Sequence, residues 1–178
     1  MTDIDLKERL KLIGFCLIFV GFVGLAIFEL KWFQNTIEAK KLIGIFAVIG
    51  LGIGIYIGHV FSKTTKDLVE KMRWYFIFAT VGLIAMPFIG GFTNRVLSFS
   101  NYENKTVELF SQQGFLADMG IIEGQDMSPD GYFTFLVIDG KLERFKSKNE
   151  LYPNNKKGDK VEVLMKKGLY GFWVVKVE

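Results

Sequence analysis

Residues 42–62, LIGIFAVIGLGIGIYIGHVFS, are apolar and carry no formal charge. At about 1.5 Å per helical residue they are long enough to cross the ~30 Å hydrocarbon core of a bilayer. Lipid offers a backbone amide no hydrogen-bond partner, so such a stretch is expected to be a helix, and any fold for this chain must accommodate it. Gly50, Gly54 and Gly58 recur every four residues within it. They therefore share one helix face, where missing side chains let another backbone approach, and that face is expected to pack on a neighbouring helix.

Two further apolar segments flank this one. Residues 12–30 lie between Lys11 and Lys31, and residues 74–92 open with Trp74 and Tyr75, a pair suited to the membrane–water interface. A basic start, an apolar core and the small residues Gly24 and Ala26 would also suit a signal peptide, but the first segment is read as a retained span. The organisation expected is a cytoplasmic leader (1–11), a three-helix transmembrane domain (12–98, spans at about 12–30, 42–62 and 74–92) and a soluble domain (99–178). Residues 31–41 form a short connection with Trp32 and Phe33 at the interface. Residues 62–73 read as a polar loop or helical turn that Thr64 or Thr65 could cap. Pro87, with Gly90 and Gly91 after it, is expected to kink the third span or end it early.

Few side chains in the spans invite chemistry. Glu29 stands within a turn of the expected interface beside Lys31, where a headgroup-level charge is the simplest reading. His59, the single histidine, has no second histidine or nearby cysteine with which to complete a metal site, so helix packing or an interfacial place is expected. Cys16 is the single cysteine, which excludes an intrachain disulfide; Phe15 before it disfavours a lipidation motif.

Charge divides unevenly. Residues 1–98 hold 11 Lys and Arg against 7 Asp and Glu, a net +4, and residues 99–178 hold 11 against 12, a net −1. The basic excess thus belongs to the membrane half, where it speaks of orientation and anionic headgroups rather than nucleic acid. The leader and second loop carry 3 + 4 = 7 Lys and Arg, the other two flanks 3 + 2 = 5. This bias favours a cytoplasmic N-terminus in a bacterial inner membrane, and three spans then put the C-terminal domain in the periplasm or outside the cell.

After residue 98 the pattern becomes that of a soluble fold. Residues 101–118 fit either a helix stripe through Val107, Phe110, Gly114 and Ala117 or a strand alternation, and a short helix is expected. Residues 120–131 are dense in turn formers; Glu123, Asp126 and Asp130 lack the spacing of a calcium loop and read as a solvated turn. Asp139-Gly140 between YFTFLVI and KLERFKS signals a type I′ hairpin, which would set Ile138 opposite Lys141, Val137 opposite Leu142 and Phe135 opposite Arg144. Lys160 to Met165 alternates, and Gly168 and Gly171 bound a turn before a last strand. About five short strands argue for a small OB- or SH3-like barrel with a core around Phe133, Phe135, Val161, Val163, Trp173 and Val175.

The C-terminal stretch GDKVEVLMKKGLYGFWVVKVE resembles the end of the C-terminal barrel in the NfeD family, membrane proteins with a few spans followed by an OB-fold. The likeness covers about twenty residues, a Gly-x-x-Val-x-Val strand, a glycine turn and a valine-rich final strand, and the order of the two halves. It implies an accessory role beside a membrane scaffold protein.

The sequence contains no Walker loop, HExxH, CxxC or Gly-x-Ser-x-Gly motif. No catalytic residue, cofactor or metal is expected. The favoured reading is a non-catalytic membrane accessory or scaffold subunit that packs through its helices, associates with another membrane protein or a second copy of itself, and docks a partner protein with its β-domain. Arg144, Lys146 and Lys148 are candidate partner-binding residues. The alternatives are a small oligomeric transporter or channel, disfavoured by the scarcity of ionisable groups in the spans, and a membrane-bound sensor or immunity-type binder.

Overall fold

A computed structural model describes residues 6–116 and 129–176. Three helices, α1 (Leu6–Phe33), α2 (Ala39–Ser62) and α3 (Leu68–Val96), precede five strands, β1 (Glu103–Phe115), β2 (Gly131–Ile138), β3 (Lys141–Ser147), β4 (Lys160–Lys167) and β5 (Trp173–Val175). The chain separates into two compact units. One joins the residues up to Lys31 with Lys41–Phe92, and the other joins Trp32–Lys40 with the chain from Thr93 onward.

In the helical unit, α2 and α3 are long and apolar enough to cross a membrane. α1 begins at Leu6, within the residues expected as the leader. Likewise α3 begins at Leu68 rather than near Trp74. The cap is Asp67, not Thr64 or Thr65: its Oδ1 accepts the Val69 N–H at 3.1 Å and its carbonyl accepts that of Lys71 at 3.0 Å. Of residues 62–73, expected as a polar loop or a helical turn, 68–73 are therefore the first turns of α3. The helix then runs unbroken past Pro87 to Val96, so the early end is not seen. A proline removes one ladder donor, and in α3 the turns on either side continue without it. Glu29 is 1% exposed, a carboxylate buried within the protein.

The second unit is built on one curled antiparallel sheet, a half-barrel with strand order β3-β2-β1-β4-β5. Residues 103–115, expected as a short helix, are its central strand. β1 has a partner on each side, β2 and β4, so ladder bonds on both edges outweigh the local helical stripe. The register shifts between Leu109 and Ser111, which makes Phe110 the extra residue of a bulge. Past the bulge, Gln112 rather than Ser111 takes the place of an inward residue. Strict alternation across β1 is broken, and its strand signal is correspondingly faint.

Between β2 and β3, Asp139 (φ 49°) and Gly140 (φ 74°) both take positive φ, as a type I′ turn requires. Ile138 pairs with Lys141, Val137 with Leu142 and Phe135 with Arg144. The turn thus sets the register by itself. The core gathers Val107, Leu109, Leu136, Ile138, Phe145, Val161, Val163, Met165 and Val175 around the inner face. Phe133 and Phe135, expected in that core, are instead only half-buried, because β2 turns Thr134, Leu136 and Ile138 inward. Trp173 packs against the core from its margin. The expected acidic turn at Glu123 and Asp126 and the side chain of Cys16 lie outside the described residues.

Candidate functional site

A half-barrel leaves two open edges, here those of β3 and β5, and unpaired edge amides are a liability in any sheet. Both edges are met by residues 35–38, the connection between α1 and α2. Asn35 and Ile37 flank β5: the Ile37 N–H donates to the Trp173 carbonyl at 2.9 Å and the Val175 N–H donates to the Asn35 carbonyl at 2.8 Å, with Thr36 bridged to Val174. Ile37 enters the same hydrophobic core as the strands. One residue on, Glu38 reaches β3. Its N–H donates to Glu143 Oε1 at 3.3 Å, and its carboxylate forms an ion pair with Lys141. That pair holds the Lys141 ammonium above its ordinary pKa, chiefly through the hydrogen bond to Glu38 and then through its charge. A segment that reads as a tight interfacial turn therefore pairs with the β5 edge through its backbone and reaches β3 through side chains.

A second fastening comes from Asn94, a residue that sequence reasoning passed over. It lies in the last turn of α3 and is 1% exposed. Its backbone carbonyl accepts the Leu169 N–H at 2.9 Å, its Oδ1 accepts the Tyr170 N–H at 3.0 Å, and its Nδ2 donates to the Phe172 carbonyl at 3.2 Å. The β4–β5 turn is thus bound as if by a short strand. Gly168 makes room for this, since a Cβ there would collide with the Asn94 amide. Nearby, the Arg95 guanidinium lies 4.4 Å from the Trp32 ring centre, and Lys166 donates to the Arg95 carbonyl at 2.8 Å. Desolvation, and secondarily the Arg95 charge, lowers the Lys166 pKa.

The outward face of the hairpin is aromatic and basic. Phe115 and Phe133 stack at 4.5 Å, Arg144 lies 4.9 Å over Phe133, and Lys146 lies 4.4 Å over Phe115. Gln34, Phe133, Arg144 and Lys146 line a recess of about 170 Å3. Of the three candidate cations the fold brings Arg144 and Lys146 together; Lys148 lies beyond the end of β3 and does not line the recess. A larger recess of about 290 Å3 opens over the core between Leu136, Phe145, Leu151, Tyr152 and Val163. Tyr152 is half-buried there and donates to the Glu162 carbonyl at 2.9 Å, and its burial raises its pKa.

Within the helical unit, Gly50, Gly54 and Gly58 are buried against α3 of the same chain. A Cβ at Gly54 would stand 2.8 Å from the Ala79 Cα and strike the Phe78 carbonyl, and one at Gly58 would lie 2.9 Å from the Tyr75 Cα. Gly82 returns the close approach at Gly50. His59 Nδ1 lies 2.7 Å from the Tyr75 hydroxyl, and Phe61, Trp74 and Phe78 pack together at ring distances of 4.9 to 5.9 Å. Among the described residues, no three His, Cys, Asp or Glu side chains gather as metal ligands would. No protein family, curated protein or solved structure matches the chain.

Proposed function

We propose that this chain is a three-span, non-catalytic membrane scaffold subunit whose β-domain presents a docking surface to a partner protein. One observation carries the membrane part of the reading. Along α2 and α3 large apolar side chains stand in the open, Val48 at 70% exposure and Phe76 at 74%, although both helices lie well inside the chain. A core helix of a water-soluble fold would cover these residues, and a contiguous exposed apolar surface of this kind calls for lipid or another protein.

The scaffold part is supported by the fastenings. Residues 35–38 and Asn94, at the ends of helices, supply backbone and side-chain partners to the sheet. These bonds complete the β-domain itself, and a sheet completed in this way offers a partner a defined surface. The glycine face already has an intrachain occupant in α3, which leaves the outward apolar surfaces of the helices for lipid or for a companion subunit. A bacterial inner membrane with the β-domain on the trans side fits the distribution of basic residues in the flanks.

The test is purification of the tagged full chain from its native membrane in mild detergent, with the mass and identity of bound protein as the readout. A stoichiometric companion protein supports the proposal. A homo-oligomer alone would transfer the weight to a pore, and a bare monomer to a sensor that uses the 290 Å3 recess.

A further inference from the structure

We infer that the recess between Gln34, Phe133, Arg144 and Lys146 holds the phosphate of an anionic phospholipid headgroup, an inference that rests on the membrane anchoring proposed above. The lining is a guanidinium, an ammonium, a carboxamide and an aromatic ring, with no carboxylate among them. Neither Arg144 nor Lys146 is ion-paired to any described residue, whereas Lys141 on the same strand is committed to Glu38. Stacking on Phe133 orients the Arg144 guanidinium and leaves its N–H edge available for bidentate contact with a phosphate. Lys146 adds a point charge, and the Gln34 amide can donate a neutral hydrogen bond.

The size and the place of the recess choose the ligand. About 170 Å3 is the share of liquid volume of some five or six waters, room for a phosphodiester and part of its glycerol. Gln34 follows directly on Phe33, the last residue of α1, so a single peptide bond separates one wall of the recess from the end of that helix, a span in the reading proposed above. That is the level at which a bilayer carries its phosphates. Trp32 and Phe33 just before it are side chains of the kind that settle there. A lipid is confined to this level at high local concentration, whereas free phosphate is not.

The experiment uses the full-length chain, delipidated in mild detergent and then incubated with phosphatidylglycerol, phosphatidylcholine of equal chain length, or inorganic phosphate, with bound mass read by native mass spectrometry. One phosphatidylglycerol per chain is expected to survive, phosphatidylcholine is expected to be lost, and inorganic phosphate at the same concentration should not displace the lipid. A basic side chain near an anionic surface contributes about fivefold, so Arg144→Gln with Lys146→Gln should weaken retention about thirtyfold, or ~2 kcal/mol. Lys148→Gln, an exposed charge outside the recess, should change it less than about twofold. Equal retention by the double variant, an equal effect of Lys148→Gln, or displacement by inorganic phosphate overturns the inference. So does an acidic protein that co-purifies through Arg144 and Lys146 while no lipid adduct forms. Alkaline carbonate extraction of membranes separates the two levels. Release of the chain would sink the anchoring itself, whereas a chain that stays embedded but keeps lipid in the double variant sinks only the headgroup site.

Discussion

Replacing Asn94 by alanine tests the fastening of the β4–β5 turn. The side chain makes two hydrogen bonds, from the Tyr170 N–H and to the Phe172 carbonyl, in a site that is 1% exposed. The two losses are unequal. The Phe172 carbonyl keeps a partner, because the Gly168 N–H donates to it at 2.9 Å, but the Tyr170 N–H loses the Asn94 acceptor. An unpaired buried donor costs about 1–3 kcal/mol, and the 45% exposure of Tyr170 brings water close enough to favour the lower half of that range. With the lost packing on Gly168, a cost of ~2 kcal/mol is expected, near a ten- to thirtyfold change in local opening. Hydrogen exchange of the full chain in detergent is the assay. The Tyr170 amide should exchange at least tenfold faster in Asn94→Ala, with the β2–β3 hairpin unchanged. Asn94→Asp should be as damaging, since it keeps the acceptor for Tyr170 but points a carboxylate at the Phe172 carbonyl. Unaltered protection of Tyr170 in the alanine variant would refute the reasoning.

Gly54→Leu should drive α2 off α3, because even its Cβ overlaps the Phe78 carbonyl; loss of protease resistance in the helical residues is the readout, and a variant as resistant as the parent would count against the packing. Ile37→Ala deletes a core side chain 9% exposed and should cost about 2–4 kcal/mol, measured by urea unfolding in detergent; a cost under about 0.5 kcal/mol would mean that the β5 edge does not depend on this side chain. Burial raises the Tyr152 pKa above 10.0, so the unfolded chain releases that proton first. The neutral phenol's stabilisation is complete below pH 10 and declines as pH rises from there through the folded value. Tyr152→Phe should flatten that alkaline decline, and an unchanged slope would assign it to other groups, Lys141 among them.

The elements differed in how much of themselves they wrote locally. The hairpin was legible to the residue, because two positions demanding positive φ leave one register. The helices were legible in kind, yet their starts were not: Asp67 competed with Thr64 and Thr65 for the same role, and only the completed helix decides between caps. β1 was misread because its strand character comes from two neighbours and a bulge at Phe110, neither of which a local period contains. Phe133 and Phe135 misled for a related reason, since large aromatics were assigned inward while the pleat gives that face to Thr134 and Leu136. Of the candidate recess, Arg144 and Lys146 were visible as alternate positions on one strand. Gln34 was not, because nothing in residues 31–41 announces that they belong with residues more than a hundred positions away.

That last point bears on where the β-domain begins. A boundary at residue 99 separates the sheet from both of its fastenings. β5 has three residues, too few to hold an edge through β4 alone. It relies on two backbone hydrogen bonds to Asn35 and Ile37, on the buried Ile37 side chain and on Asn94. At about 1 kcal/mol for each bond and roughly 2 kcal/mol for the side chain, removing the 35–37 segment costs ~4 kcal/mol before Asn94 is counted. A small domain has only about 5–15 kcal/mol in total. A fragment of residues 99–178 should therefore show unprotected Val174 and Val175 amides, even where the β2–β3 hairpin still forms. Fusing residues 32–40 by a flexible linker to a fragment that starts at Thr93 should restore their protection. Slow exchange of Val175 in the shorter fragment would show that the sheet closes by itself, and the connection between α1 and α2 would then be a passenger on the β-domain and not part of its fold.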